Sequence, residues 1–139
     1  NNNHNHDHSS GNSHIFPHPL NLVLNIPSLN KIQEDLLWTL FSTSNDHTKP
    51  PANLAISAPT GSGKTVLFEI AICELYNRVK SDSPRFKVVY IAPIKSLCQE
   101  KYHDWKLRFS VLSLRVLELT GDSEYINYDQ IYDTNIIVT

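Results

Sequence analysis

The sequence predicts an α/β domain, a parallel sheet joined by crossover helices, and three observations carry that expectation. Short apolar runs at Leu54 to Ser57, Phe86 to Ala92, Val111 to Leu119 and Asn135 to Thr139 alternate with longer stretches of helical periodicity. One of those runs, Val88-Val89-Tyr90-Ile91, has no charged residue, the mark of a parallel strand covered on both faces. Finally, Ala58 to Thr65 reads APTGSGKT, a glycine-punctuated turn set between a short apolar strand and a long helical stretch.

The 139 residues suffice for one domain with a real core and are too few for two of ordinary size. Asn1 to His14 is an Asn/His/Ser tract with no large apolar residue, expected to be a disordered tail, so the domain is expected to span residues 15–139. His4, His6 and His8 alternate within the tract, a spacing that fits a metal ion, a purification tag or plain low complexity. Ile15 to Pro19 carries two prolines and is expected to lie extended. The chain has no methionine and begins with three asparagines, as an excerpt or processed product would.

Leu29, Ile32, Leu36, Leu37, Leu40 and Phe41 recur at helical spacing, predicting an amphipathic helix over Ser28 to Phe41. Gln33 stands in its first turn, where it completes a capping box with Asn30 or reaches outward for another purpose, and the residues alone leave both open. A polar loop ending in Pro50 and Pro51 leads into the strand Leu54 to Ser57. After Thr65 the helix is so nearly apolar all round that it is expected to be buried between layers. Lys95 to Phe109 is a further helix with Cys98, Tyr102, Trp105 and Phe109 in one stripe and Lys101, Lys106 and Arg108 off it. Val111 to Leu119 reads as a strand, Tyr125 to Tyr132 as a short helix, and Asn135 to Thr139 as a last strand.

The net charge is only −2, but eight basic residues from Arg78 to Arg108 crowd the middle, where a polyanion would first meet the chain. Cys73 and Cys98 fall inside apolar helical patterns without metal-ligand spacing, as buried thiols of a reducing compartment do. No apolar run approaches the length of a membrane span and the N-terminus lacks a signal-peptide layout, so a soluble intracellular protein is expected, with no membrane partner.

Ala58 to Thr65 follows the P-loop pattern except that Ala58 stands where the pattern has Gly. A nucleoside triphosphate needs a backbone that wraps its phosphates, and Gly61 and Gly63 supply turns without a Cβ. Lys64 adds a point charge, and Thr65 opens the following helix, where a hydroxyl is able to ligate Mg²⁺ beside the positive helix terminus. The candidate nucleotide site is therefore Ala58, Pro59, Thr60, Gly61, Ser62, Gly63, Lys64 and Thr65, with ATP and Mg²⁺ as the expected cofactors.

A P-loop alone names a nucleotide and not an activity. With its companions it resembles the first RecA-like domain of superfamily-two helicases over about Phe16 to Thr139. APTGSGKT resembles helicase motif I. Ala92-Pro93-Ile94-Lys95-Ser96-Leu97 resembles motif Ia, which implies nucleic-acid backbone contacts at Pro93, Ile94 and Lys95. Thr120-Gly121-Asp122 resembles a second loop along the same strand, and Leu29 to Gln33 is similar to the Q-motif, which implies that Gln33 reads the adenine edge.

The longer strings from Ala92 to Lys101 with Asp104-Trp105, and from Leu117 to Asp122, look most like meiotic crossover-promoting (Mer-type) DNA helicases. That resemblance implies a nuclear enzyme that uses ATP to open duplexes, with single-stranded or branched DNA as partner and meiotic recombination as its setting. An RNA helicase of the same superfamily and a non-hydrolysing truncated binding product are the competing expectations, and a small-molecule kinase is a weaker one. The family's acidic Asp-Glu-x-His motif and second RecA-like domain are not among these residues, so the chain is expected to be a truncated N-terminal part of that domain, inactive alone.

Overall fold

A computed structural model of the protein describes residues 16–43, 53–79, 85–121 and 127–139. The expected disordered tail at Asn1 to His14, and Asp122, lie outside the described residues. The elements in chain order are α1 (Leu20–Val23), α2 (Lys31–Thr43), α3 (Lys64–Val79), β1 (Val88–Tyr90) and α4 (Lys95–Arg108). A 3₁₀ turn at Phe109–Leu112, β2 (Val116–Glu118), α5 (Tyr128–Asp133) and β3 (Ile136–Val138) complete it.

The three strands form one parallel sheet in the order β1-β3-β2, with Ile136 in register with both Val88 and Val116. The last strand in sequence therefore lies at the centre, which explains why Ile136 and Val138 are fully buried while β1 and β2 are not. Ladder bonds extend past the strand ends, with the Ala92 N–H donating to Thr139 O at 2.8 Å and the Leu119 N–H to Val138 O at 2.9 Å. Asn135 fixes the entry to β3, its Oδ1 accepting from the Arg115 N–H at 3.1 Å. Lys87 holds the end of α5, its Nζ donating to the carbonyls of Ile131, Tyr132 and Thr134, where a cation meets the negative helix terminus.

The core joins Leu20 and Val23 of α1, Ile70 and Cys73 of α3, Trp105, Phe109, and Ile136 and Val138 of β3. Aromatic edges meet faces through it: Tyr90 to Trp105 at 5.0 Å and Trp105 to Phe109 at 5.9 Å between centroids. Both cysteines are buried and free, and burial, reinforced by Glu69, pushes the Cys73 thiol up to about 12. No described helix is long and apolar enough to cross a membrane.

Several expectations are corrected. Leu54 to Ser57 takes no strand conformation and is exposed, because a strand exists only where a neighbour completes its ladder and no described strand lies beside it. β1 is covered on one face only, with Val89 55% exposed and Ile91, just past the strand's end, 78% exposed. α3 is not buried all round. Phe68 and Ala71 face outward between two apolar grooves of about 330 and 220 Å³, one lined by Leu36, Leu54 and Ile56 and the other by Leu75, Val89 and Ile91.

Val111 and Leu112 belong to the 3₁₀ turn, and Ser113 adopts φ 57°, which turns the chain before β2 can start. The prolines at 17 and 19 are followed at once by the short helix α1, whose buried Leu20 and Val23 drive it. The basic middle is divided between the fold and the surface, with Arg85, Lys95 and Lys106 exposed. Arg78 pairs with Glu74 and Lys87 caps α5, while Lys101 is only 7% exposed and Arg108 turns inward.

Arg108 turns inward because Glu69, 2% exposed on α3, is an acid that burial would otherwise penalise. Arg108 Nη1 donates to Glu69 Oε2 at 3.0 Å, Nη2 donates to Glu69 Oε1, and Trp105 Nε1 donates to Oε1 at 3.0 Å. Asp104 holds the other side of the guanidinium, whose Nη1 also reaches Val23 O at 3.1 Å, so α1, α3 and α4 share one polar knot. Burial alone would lower the Arg108 pKa, but hydrogen bonds to Asp104 and Glu69 hold it above its ordinary value. Glu69→Ala is expected to destabilise the fold by about 3 kcal/mol, because it leaves Arg108 half-paired and the Trp105 N–H without an acceptor. Urea denaturation checks this, and the paired replacement of Glu69 by Leu and Arg108 by Met is expected to recover most of the loss.

Candidate functional site

Ala58 to Gly63 forms a tight loop that delivers Lys64 and Thr65 as the first residues of α3. Gly61 and Gly63 adopt φ 80° and 79°, the left-handed region, which no side-chain-bearing residue enters cheaply. The Ser62 N–H donates to Pro59 O at 3.2 Å and the Val66 N–H to Gly63 O at 3.1 Å, closing the loop onto the helix. Lys64 folds back over the loop, its Nζ donating to Ala58 O at 2.8 Å and Pro59 O at 3.0 Å. Among the described residues, no acceptor is bonded to the backbone N–H of Gly63 or Lys64. Ser62 Oγ is buried there without a hydrogen-bond partner among the described residues, an orphan that a ligand in the loop would relieve.

α2 packs its first turn against this loop. Asn30 and Gln33 form a reciprocal capping box: the Gln33 N–H donates to Asn30 Oδ1 at 3.1 Å and the Asn30 N–H to Gln33 Oε1 at 2.9 Å. The same two side chains then cross to the loop. Asn30 Nδ2 donates to Ser62 O at 2.7 Å and Gln33 Nε2 to Gly63 O at 3.1 Å. Capping and a role at the loop are therefore not alternatives for Gln33, which is 4% exposed and performs both contacts at once. The sequence placed Gln33 near the site through its resemblance, but it assigned Asn30 to the cap alone. Its second contact spans 32 positions and no local pattern signals it.

Pro93, Ile94 and Lys95 are exposed at the junction of β1 with α4, and Thr120 and Gly121 follow the end of β2. Because all three strands are parallel, both segments lie at the carboxyl edge of the sheet, with Thr139 at the end of β3 between them. That edge is where open α/β sheets place their ligands. Among the described residues no cluster of three His, Cys, Asp or Glu side chains fits a metal ion, and Thr65 is the polar side chain beside Lys64 at the opening of α3.

A parallel α/β arrangement with a phosphate-loop turn at the head of a helix defines the class of P-loop domains. The sequence pattern of the DEAD/DEAH box helicase family matches residues 30–139, and the chain belongs to that family. It is similar to the ATP-dependent DNA helicase MER3 homolog of Oryza sativa subsp. japonica, 39% identical over 131 residues, covering 89% of this chain and 10% of the relative. It is also similar to the probable ATP-dependent DNA helicase HFM1 of Xenopus tropicalis, 47% identical over 113 residues, 81% of this chain and 8% of the relative. The ATP-dependent DNA helicase MER3 of Saccharomyces cerevisiae is 38% identical over 125 residues, 90% of this chain and 10% of the relative. The chain thus spans about a tenth or less of the length of these relatives.

Gly63 is constrained twice. A Cβ there would lie 2.4 Å from Gln33 Nε2, and the positive φ is strained for any other residue at about 1–3 kcal/mol. Gly63→Ala is expected to lower the thermal midpoint and to displace the Gln33 amide from the loop. Adding Gln33→Ala to that chain should return only the part due to the clash, and full recovery would show that the left-handed backbone is not required.

Proposed function

We propose that the chain is the nucleotide-binding start of a DNA helicase motor domain, spanning residues 15–139, and that ATP binds at Ala58 to Thr65. The observation that supports this most is the loop itself. The Gly63 and Lys64 N–H groups and the orphaned Ser62 Oγ stand at the positive end of α3, with the Lys64 ammonium held above them. Phosphate oxygens would take the place of the Ala58 and Pro59 carbonyls as partners of Lys64. Thr65 would supply the one protein hydroxyl to Mg²⁺, whose role when bound is to neutralise phosphate charge. Gln33 retains one Nε2 hydrogen and one Oε1 lone pair beyond its present bonds, the pair that an adenine edge requires.

Nucleic acid would lie along the carboxyl edge, touching Pro93, Ile94, Lys95, Thr120, Gly121 and Asp122. The names of the relatives support DNA, and the motif strings from Ala92 to Lys101 and from Leu117 to Asp122 favour a nuclear role in meiotic recombination. Residues 1–139 are expected to bind ATP without hydrolysing it. Phosphoryl transfer needs several positioned charges, and the adjacent acids Glu34 and Asp35 are exposed on α2, with Asp35 taken by Lys31 at 2.5 Å.

Lys64→Ala is expected to abolish binding of a fluorescent ATP analogue while leaving the far-ultraviolet circular dichroism unchanged, since among the described residues the ammonium hydrogen-bonds the loop carbonyls of Ala58 and Pro59. Equal affinities in the two chains would remove the ATP-site assignment. In the full-length parent, Lys95→Ala is expected to weaken single-stranded DNA binding and to reduce the slope of log affinity against log salt by about 0.7. An unchanged slope would move the DNA contact elsewhere, and a larger effect on RNA than on DNA would reverse the choice of nucleic acid.

A further inference from the structure

We propose that Asn30 is a positioning residue of the phosphate site, orienting the loop's N–H groups for any triphosphate without reading the base. The inference rests on the ATP-site assignment above. In a trans peptide the C=O and N–H point in opposite directions, so whatever holds the carbonyl also aims the next amide. Asn30 Nδ2 holds the Ser62 carbonyl at 2.7 Å, which turns the Gly63 N–H away from α2. Gln33 Nε2 holds the Gly63 carbonyl at 3.1 Å, which does the same for the Lys64 N–H.

Two consecutive peptide planes are thus pinned from one side, and both donors are directed away from α2. The pinning is rigid because each carboxamide is itself fixed by the other's backbone N–H through the capping box. Helix α2 therefore sets the loop's donors before any ligand arrives, and the contact made by Asn30 lies on the peptide that carries the Gly63 donor. A loss of that contact loosens phosphate binding whatever base is attached, whereas Gln33 also has the remaining atoms to face a base.

Two substitutions separate this role from capping. Asn30→Ser keeps a neutral N-cap oxygen but is too short to reach Ser62, and Asn30→Asp keeps the cap and puts an oxygen against the Ser62 carbonyl. In the full-length parent, titration calorimetry with ATP, GTP and inorganic tripolyphosphate is expected to show the affinities of all three falling together for Asn30→Ser. The expected loss is about three- to tenfold, the worth of one hydrogen bond, with the thermal midpoint kept by the retained cap. Unchanged affinities, a loss confined to ATP, or a loss for Asp without one for Ser would each overturn the proposal, the last because it reports charge repulsion alone. If the wild-type protein binds none of the three ligands, or binds them independently of Lys64, the ATP-site assignment itself fails. If it binds them through Lys64 and the Asn30 variants match it, only the role of Asn30 fails.

Discussion

The structure depends on a charged pair placed where charge is least welcome. Glu69 sits in the middle of α3, among Ile70, Ile72 and Cys73, and it is tolerated only because Arg108 and Trp105 reach it from α4. An ion pair in such a place adds little net stability over an apolar packing of the same volume. What it does supply is geometry: a fork with two donors fits a carboxylate in one orientation, so the rotation and height of α4 against α3 are set. Since the Val23 carbonyl takes another donor from the same guanidinium, α1 is located by the same knot.

That constraint matters for the site because α3 and α4 each begin at it. The head of α3 carries Lys64 and Thr65, and the head of α4 follows Pro93 and Ile94. Fixing the two helices against each other helps to set the distance between the loop and the sheet's carboxyl edge. The remaining support for the loop comes from α2, whose capping residues serve twice. A helix terminus needs its first N–H groups satisfied, a loop needs its carbonyls held, and a pair of carboxamides has enough donors and acceptors for both tasks.

The outward face of α3 shows the other side of this architecture. Phe68 and Ala71 lie between two apolar grooves, with Leu54 and Ile56 along one and Val89 and Ile91 along the other. The P-loop segment approaches its helix from the correct end yet forms no ladder, so the turn holds its shape through Asn30, Gln33 and Lys64 and not through a sheet. A site can thus be shaped by side chains crossing from a neighbouring helix even where the strand expected to launch it has no neighbour.

The sequence by itself determined the elements whose signals are local. Helical spacing marked α2, α3 and α4 because each repeats apolar residues over several turns, and APTGSGKT marked the loop because glycine and lysine are required there by backbone geometry and charge. The α/β class followed from their alternation, and the family resemblance from short motif strings. Tertiary structure alone decided whether Leu54 to Ser57 forms a strand, since strand formation depends on a partner that lies elsewhere in the chain. It decided the burial of Glu69, Lys101 and Arg108, since a charge's fate depends on what faces it across 39 positions and not on its neighbours in sequence. It decided, too, that Asn30 serves the loop as well as the helix, because a hydrogen bond spanning 32 residues leaves no periodicity for the sequence to show.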